Sequence, residues 1–475
     1  MVLEEQTPEI KDPQNNDAEA QHHEVQTDVH MDRDFVQTLQ YALRKDDETK
    51  ILELLEEVHA ADVADILEVL SSGQRTKLIA LIGANFPAEV LAEIEGEAQD
   101  DLYEQLPNEQ IAEAVTEMET DDAVYVLEEL DEEDRAEVLE QLPTDDRVAI
   151  EESLSYPEDS AGRLMQRDLF AIPEFWTVGQ TIDYLRSDSE DIPDDFYDVF
   201  IVDPTHKPIG SLPLSRILRT ARETTIADIM RRDIFKIEAV ADQEEVAYQF
   251  SKYHLISASV VDDAGRLVGV ITVDDVVDVI GEEAEEDILA LGGVRDESGL
   301  NESFIEITRG RFTWLFVNLL TAILASAVIG MFEATIEQMV ALAVLMPIVA
   351  SMGGNAGTQT MTVSVRAIAT KELSSSNALR VLVREFTAAG VNGTVLAVVS
   401  GLVAWFWFDS LMLGGVFAAA MIFNMVVAGL CGLLIPMGLY KMEIDPAISS
   451  SVFVTTITDV VGFFAFLGMA ALFLL

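Results

Sequence analysis

Five long apolar runs toward the carboxyl end constrain this chain more than any other feature. An α-helix needs about 20 residues to cross a hydrocarbon layer of about 30 Å. Charge-free runs of that size follow one another at Phe312–Phe332, Gln338–Val365, Phe386–Phe408 and Ser410–Tyr440. A fifth, Pro446–Leu475, carries a single charge, Asp459. Soluble folds bury single helices of this kind, not five in succession. The pattern predicts five transmembrane helices.

The rest of the chain has the opposite character. The 475 residues include 85 acids and 29 bases, a net charge of −56. From Phe312 onward there are eight acids and five bases, which leaves 77 and 24, a net of −53, for residues 1–311. So acidic a surface repels phosphate backbones, which argues against a nucleic-acid partner. The single cysteine, Cys431, lies in an apolar run and cannot support a disulfide scaffold. The first 30 residues are polar and acidic, unlike a secretory signal. Basic residues mark the cytoplasmic side of a bilayer. Arg309 and Arg311 precede the first run, Arg366, Lys371, Arg380 and Arg384 flank the link between the second and third, and Lys441 lies between the fourth and fifth. All fall on one side if the amino terminus is cytoplasmic and the carboxyl terminus outside. The chain is therefore expected to be a multi-pass protein of the plasma membrane, with its acidic region in the cytoplasm.

Polar residues interrupt the apolar runs at three places. Asp459 lies in Thr455-Thr456-Ile457-Thr458-Asp459-Val460-Val461-Gly462. A carboxylate at membrane depth is costly and usually faces water or a partner. The threonines surround it with oxygen, which suits hard cations, and the run has no His or Cys for softer metals. A paired or protonated structural Asp is the plainer alternative. The second place is Pro347 to Thr360, with Gly353, Gly354, Asn355, Gly357 and Gln359. Glycines there permit close helix approach, and amides bond across helices or line a pore. No phosphate-loop spacing accompanies them. The third, Glu385 beside Arg384, reads as a structural ion pair.

Residues 1–32 lack periodicity and are expected to be a disordered acidic tail, with His22, His23 and His30 solvated. Residues 33–157 read as an acidic helical-repeat domain, with Leu52, Leu54, Leu55 and Val58, then Val63, Ile66 and Leu67, at helix spacing. Glu-Gln-Leu-Pro recurs at 104–107 and 140–143, 36 residues apart, which suggests stacked helical hairpins each ending at a Pro. A second repeat follows. Leu164–Ile172 echoes Ile229–Ile237 at an offset of 65, and Pro208–Leu212 echoes Leu267–Ile271 at 59. Each unit reads as a helix (Glu245–His254 in the second), strands such as Ser259–Val261 and Val268–Ile271 with an Asp-Gly type turn, and a further helix. These units, 158–222 and 223–280, resemble a tandem pair of α/β CBS domains. Thr272-Val273-Asp274-Asp275 looks like the Thr-x-x-Asp that grips an adenosyl ribose, so Thr272 and Asp275 are nucleotide-binding candidates and ATP a candidate ligand. Eight carboxylates then fall within 14 residues, from Asp274 to Asp287. Like charges at helix spacing repel, and a divalent cation would relieve them. Residues 281–310 read as a connecting helix and linker, and 311–475 as the membrane domain.

Taken together, residues 34–475 resemble the MgtE family of magnesium channels and transporters. Gly353-Gly354-Asn355-Ala356-Gly357-Thr358-Gln359 looks like that family's second-helix signature. Asp445-Pro446-Ala447 followed by Thr458-Asp459-Val460-x-Gly462 looks like its fifth-helix signature. The resemblance implies an all-α superhelical domain, an α/β CBS pair, a plug helix and a five-helix α-helical channel. It implies a homodimer in the lipid bilayer with Asp459 of each subunit holding hydrated Mg²⁺ in a pore on the two-fold axis, and Asn355, Thr455 and Thr458 lining it. By the resemblance Mg²⁺ would be both cargo and regulator, and no enzymatic activity is expected. The regulatory ligands implied are Asp121, Asp242, Glu244, Asp275, Asp278, Glu283, Glu286 and Asp287. His254 stands where relatives can carry an Asp, and a neutral imidazole is a poor Mg²⁺ ligand. Two other readings stay open: transport of Co²⁺, Ni²⁺ or Mn²⁺, or a nucleotide-sensing membrane protein that transports nothing.

Overall fold

The computed structural model describes residues 33–475 apart from 56–57, 84–85, 188–191, 194–195, 295–303, 375 and 443. The expected tail at 1–32, with its histidines, lies outside the described residues. The chain divides into two compact units, Met1–Gln105 and Leu106–Leu475.

The first unit is helical: α1 (Arg33–Lys45), α2 (Glu48–Leu55), α3 (Ala60–Val69), α4 (Ser72–Ile82), α5 (Val90–Glu93) and α6 (Gly96–Tyr103). Its core gathers Leu39, Leu43, Ile51, Ile66, Leu67, Leu78, Leu91 and Leu102. Ile51 takes the buried place, while Leu52 is exposed. Arg75 is buried among these helices, where it meets Asp101 at 2.7 Å and donates to the Leu70 carbonyl at 2.9 Å.

The second unit opens with α7 (Asn108–Glu117), α8 (Thr120–Glu129), α9 (Glu132–Gln141) and α10 (Thr144–Ser153). Their starts are twelve residues apart. Met118, Leu130 and Leu142 end three of them in extended backbone, with ψ of 161°, 147° and 151°. The 36-residue echo is therefore three steps of a twelve-residue, single-helix repeat rather than a hairpin. Nor do the prolines end helices. Pro107 and Pro143 stand at the caps before α7 and α10, where a fixed φ and a missing N–H cost nothing.

The repeated α/β units follow: β1 (Ala171–Pro173), α11 (Val178–Leu185), β2 (Asp198–Val202), β3 (Pro208–Pro213) and α12 (Leu214–Leu218); then α13 (Ile226–Ile229), β4 (Lys236–Glu238), α14 (Gln243–Tyr253), β5 (Ser257–Val261), β6 (Leu267–Thr272) and α15 (Val273–Leu291). Each sheet has a parallel pair and an antiparallel pair, in the order β1-β2-β3 and β4-β5-β6. The sequence echoes have a physical cause, because each unit completes the other. Gln166 bridges to Val270 and Arg231 to Ser211. A Cβ on Gly269 would stand 2.6 Å from the Met165 sulfur, and one on Gly210 2.8 Å from that of Met230. The hairpin turns match as well, since His206 (φ 62°) occupies in the first unit the left-handed position of Gly265 (φ 76°) in the second. Helix α14 starts two residues ahead of the predicted helix because Asp242 caps it, accepting from the Glu244 amide at 2.9 Å. Helix α15 runs unbroken across residue 280, where a domain boundary was expected.

The remaining helices are α16 (Phe304–Gly330), α17 (Glu333–Gln338), α18 (Ala341–Ala369), α19 (Ala378–Phe408), α20 (Leu411–Tyr440) and α21 (Pro446–Phe473). All but α17 are long and apolar enough to span a bilayer. Helix α20 packs against α18, α19 and α21, around a core that includes Leu345, Val349, Phe417, Met421 and Phe466. Lipid supplies no hydrophobic drive between helices, so small residues that allow close packing matter. A Cβ on Gly357 would lie 2.5 Å from Val454, and one on Gly432 would lie 2.7 Å from the Gly357 carbonyl. The end of α15 is seated on this bundle, with Ala290 buried among Met361, Val365, Ala447 and Val454.

Gly269→Ala is expected to destabilise the α/β pair by about 1–3 kcal/mol, the cost of overpacking. Gly73→Ala, with nothing within 4 Å of the new Cβ, is the control and should be neutral or slightly stabilising. Denaturant titration followed by tyrosine and tryptophan fluorescence checks both.

Candidate functional site

The residues expected to meet cations fall into two sets. The first is on the apolar helices. Asp459 is the fourteenth of the 28 residues of α21 and is half-buried, not sealed in the packing. Thr455, one turn before it, is exposed. Thr458 does not join them. It is fully buried, its hydroxyl donates to the Thr455 carbonyl at 3.0 Å, and its methyl lies near Gly357. This corrects the expectation that Thr458 lines a pore, since its position on the helix turns it into the α18 contact. Thr456 likewise donates to the Val452 carbonyl, at 2.6 Å. The glycine-rich stretch of α18 splits in the same way. Gly353 and Gly357 are buried against α20 and α21, while Asn355, Thr358 and Gln359 are exposed. Arg384 and Glu385, at the start of α19, are paired at 3.2 Å.

The second set is the carboxylates that precede the apolar helices. Among the described residues no three His, Cys, Asp or Glu side chains converge as a ready-made metal site. The expected residues fall into two groups. In the first, the start of α8 meets the start of α15. Asp121 is buried, and its Oδ1 has no hydrogen-bond partner. Burial and the neighbouring Asp275 push its carboxyl well above the usual range. Asp275, beside it, is itself raised by burial. It also accepts from the Thr272 hydroxyl at 2.7 Å and the Thr272 amide at 3.3 Å, which caps α15. Both nucleotide-binding candidates are thus engaged with each other as a helix cap. Asp278, one turn on, is raised by burial and by Asp274. Sequence reasoning missed Glu119. It accepts from Gln166 and is pushed up to about 7, first by burial, then by Asp275, Asp122, Asp274 and Asp168. Three acids in the four residues 119–122 were the available signal.

The second group joins α14, α15 and the membrane bundle. Glu244 is raised by burial, then by Glu283 and Asp242. Glu283 is raised by burial, although Gln243 donates to it at 2.9 Å. Asp287 is raised by burial and by Asp445, which caps α21. Glu286 is half-buried on the same helix. The cation that meets this group was also missed. Lys371, in the link between α18 and α19, pairs with Glu245 and lies 4.4 Å from the Tyr248 ring centroid. His254 is exposed at the end of α14, in left-handed conformation, and stands in neither group.

A family model for MgtE, described as a divalent cation transporter, matches residues 346–469. Models for the MgtE intracellular N domain and for a CBS domain match residues 58–159 and 226–282. The magnesium transporter MgtE of Thermus thermophilus is 32% identical over 451 residues, 94% of this chain and 99% of that one. The chain belongs to the MgtE family of magnesium transporters. The MgtE of Bacillus subtilis is 29% identical over 423 residues, 89% of this chain and 93% of that one. A crystal structure of the cytosolic domain of the Mg²⁺ channel MgtE in complex with ATP is 31% identical, with a TM-score of 0.47, covering 51% of this chain and 99% of that one. Membership of this transporter family makes the chain a membrane protein, and its five apolar helices are the candidate spans.

The raised carboxyls make a pH prediction. Glu119 released from the α15 contact returns toward the ordinary 4.5, whereas docked it titrates at about 7. The docked state then holds more protons between those values, so docking is fully favoured below about 4.5 and weakens as pH rises toward about 7. In chelator, hydrogen-exchange protection of α8, corrected for intrinsic rate, should be high at pH 5 and low at pH 8. Mg²⁺ should restore it at pH 8. A flat profile contradicts this reading of the contact.

Proposed function

We propose that the protein is a homodimeric Mg²⁺ channel for uptake, gated closed by cytoplasmic Mg²⁺. What carries the reading is Asp459, a half-buried carboxylate halfway along a membrane helix, with Asn355 and Thr455 also exposed. Mg²⁺ sheds its water reluctantly. One carboxylate per subunit, with amide and hydroxyl oxygens around it, can hold the hydrated ion through its water shell and still release it. The membrane potential drives entry with about 2.3 kcal/mol per charge per 100 mV, and so about twice that for a divalent ion. Orientation follows the basic links, with the amino terminus cytoplasmic and the carboxyl terminus outside.

Gating uses the carboxylate groups. Asp121, Asp275 and Asp278 form one regulatory set, and Asp242, Glu244, Glu283, Glu286 and Asp287 the other, with α15 as the plug. When cytoplasmic Mg²⁺ is scarce, the carboxylates repel and the domains part. When it is plentiful, bridging ions draw them together and α15 closes the pore. Mg²⁺ can shift this equilibrium only by binding the closed state more tightly. An adenine nucleotide gripped by Thr272 and Asp275 would take the same carboxylate that faces Asp121, so ATP and Mg²⁺ are expected to influence each other's binding.

Asp459→Ala should abolish Mg²⁺ flux into liposomes while leaving the protein folded and inserted, as judged by its elution profile. Unchanged flux would remove Asp459 from the pathway. Competition by Co²⁺, Ni²⁺ or Mn²⁺ that outweighs Mg²⁺ would replace magnesium as the cargo.

A further inference from the structure

Asn424 has no part in the pathway or the gate described above. It stands near the middle of α20, whose 30 residues are otherwise almost wholly apolar. Its side chain is 0% exposed. Nδ2 donates to the Val349 carbonyl of α18 at 2.9 Å. Oδ1, equally buried, has no hydrogen-bond partner among the described residues. Two glycines make room for the amide. A Cβ on Gly353 of α18 would collide with Nδ2, and one on Gly462 of α21 would stand 2.7 Å from it. One polar side chain therefore fills a slot shared by three helices.

Its neighbours give the slot its meaning. Gly462 follows Asp459 by three residues, close to one helical turn. Gly353 precedes Asn355 by two, so the side of α18 turned to Asn424 is roughly opposite the exposed side that carries Asn355. Pro347 lies two residues before Val349 and lacks an N–H, which weakens the ladder of α18 at this depth. The stretch then takes its rotation from what it packs against. Apolar packing alone lets helices slide and turn, whereas an amide bonded to one carbonyl is directional, and no water competes for it in lipid.

We propose that Asn424 is a positioning residue for permeation. It fixes the rotation and spacing of α18 against α21, and with them the aim of Asn355 and Asp459. This rests on the pore reading above. An ion held through its water shell is sensitive to small changes in where the oxygens stand, so loss of the amide should alter affinity and selectivity before it alters folding.

The test uses full-length protein reconstituted in liposomes. Asn424→Leu keeps the volume and removes the bond. It is expected to elute like the parent, to raise the half-saturating Mg²⁺ concentration by about tenfold and to lower the Mg²⁺-to-Co²⁺ flux ratio. Hydrogen exchange of the Gly353 region should quicken, a readout that does not pass through Asp459. If Asp459→Ala conducts normally, the pore reading fails while the exchange result still reports the bond. If Asn424→Leu does not fold, Asn424→Ala decides by the same measurements. The double variant Asn424→Ala/Gly462→Ala should match Asn424→Ala alone, and parental flux from it would make Asn424 a space-filler. Parental affinity and selectivity in a folded single variant, whether or not exchange quickens, overturns the proposal.

Discussion

Carboxylates packed against one another without enough positive charge are the constraint on which the acidic domains turn. Asp121 faces Asp275, with Glu119 beside them, and Glu244 faces Glu283 near Asp287. Arg163 pairs with Glu128 and Arg167 with Glu152, and Lys371 answers the second group only in part. Burial of like charges is unfavourable unless a proton or a cation joins them. The raised carboxyls are the proton's answer. In the proposed function a divalent cation is the alternative at neutral pH, and it would bring two charges to each contact.

One helix joins that balance to the membrane. Helix α15 starts at the Thr272 cap beside Asp121 and ends with Ala290 between α18 and α21. Its 19 residues span about 28 Å as a rigid rod, with Glu283, Glu286 and Asp287 along its length. In the proposed gate, movement of its first turn would be carried to the bundle. At the far end, Asp287 and Asp445 face each other, and Asp445 caps the same helix that carries Asp459. The proposed gate and pore thus share α21, and the glycine seats at Gly353 and Gly357 determine how tightly its neighbour α18 can follow.

Much of this was legible in the residues. Charge-free length of about 20 residues or more points to five membrane helices, because a single segment in lipid can satisfy its own backbone only as a helix. The echoes at offsets 65 and 59 fall on β1 and β4, and on β3 and β6, since Met165 and Met230 pack over Gly269 and Gly210 across the pair. Other features were not legible. A 36-residue echo cannot distinguish a hairpin from three steps of twelve, because only the extended Met118, Leu130 and Leu142 reveal the period. The role of Thr458 depends on a helix rotation of one residue, which threonines on both sides of the helix at 455, 456 and 458 do not specify. Glu119, Lys371 and Asn424 acquire their meaning from residues far away in the chain, 47, 126 and 75 positions distant, and even the acidic run at 119–122 does not name the distant partner.

The claim that cytoplasmic cation binding closes the pore is tested most directly by Mg²⁺ current through the purified, reconstituted protein while Mg²⁺ on the cytoplasmic face alone is raised from chelated to millimolar levels. The account predicts that current falls steeply, and that replacing Asp121 and Asp275 together by Asn shifts the fall to higher Mg²⁺. Current that ignores cytoplasmic Mg²⁺, or a variant that closes at the parental concentration, would contradict it.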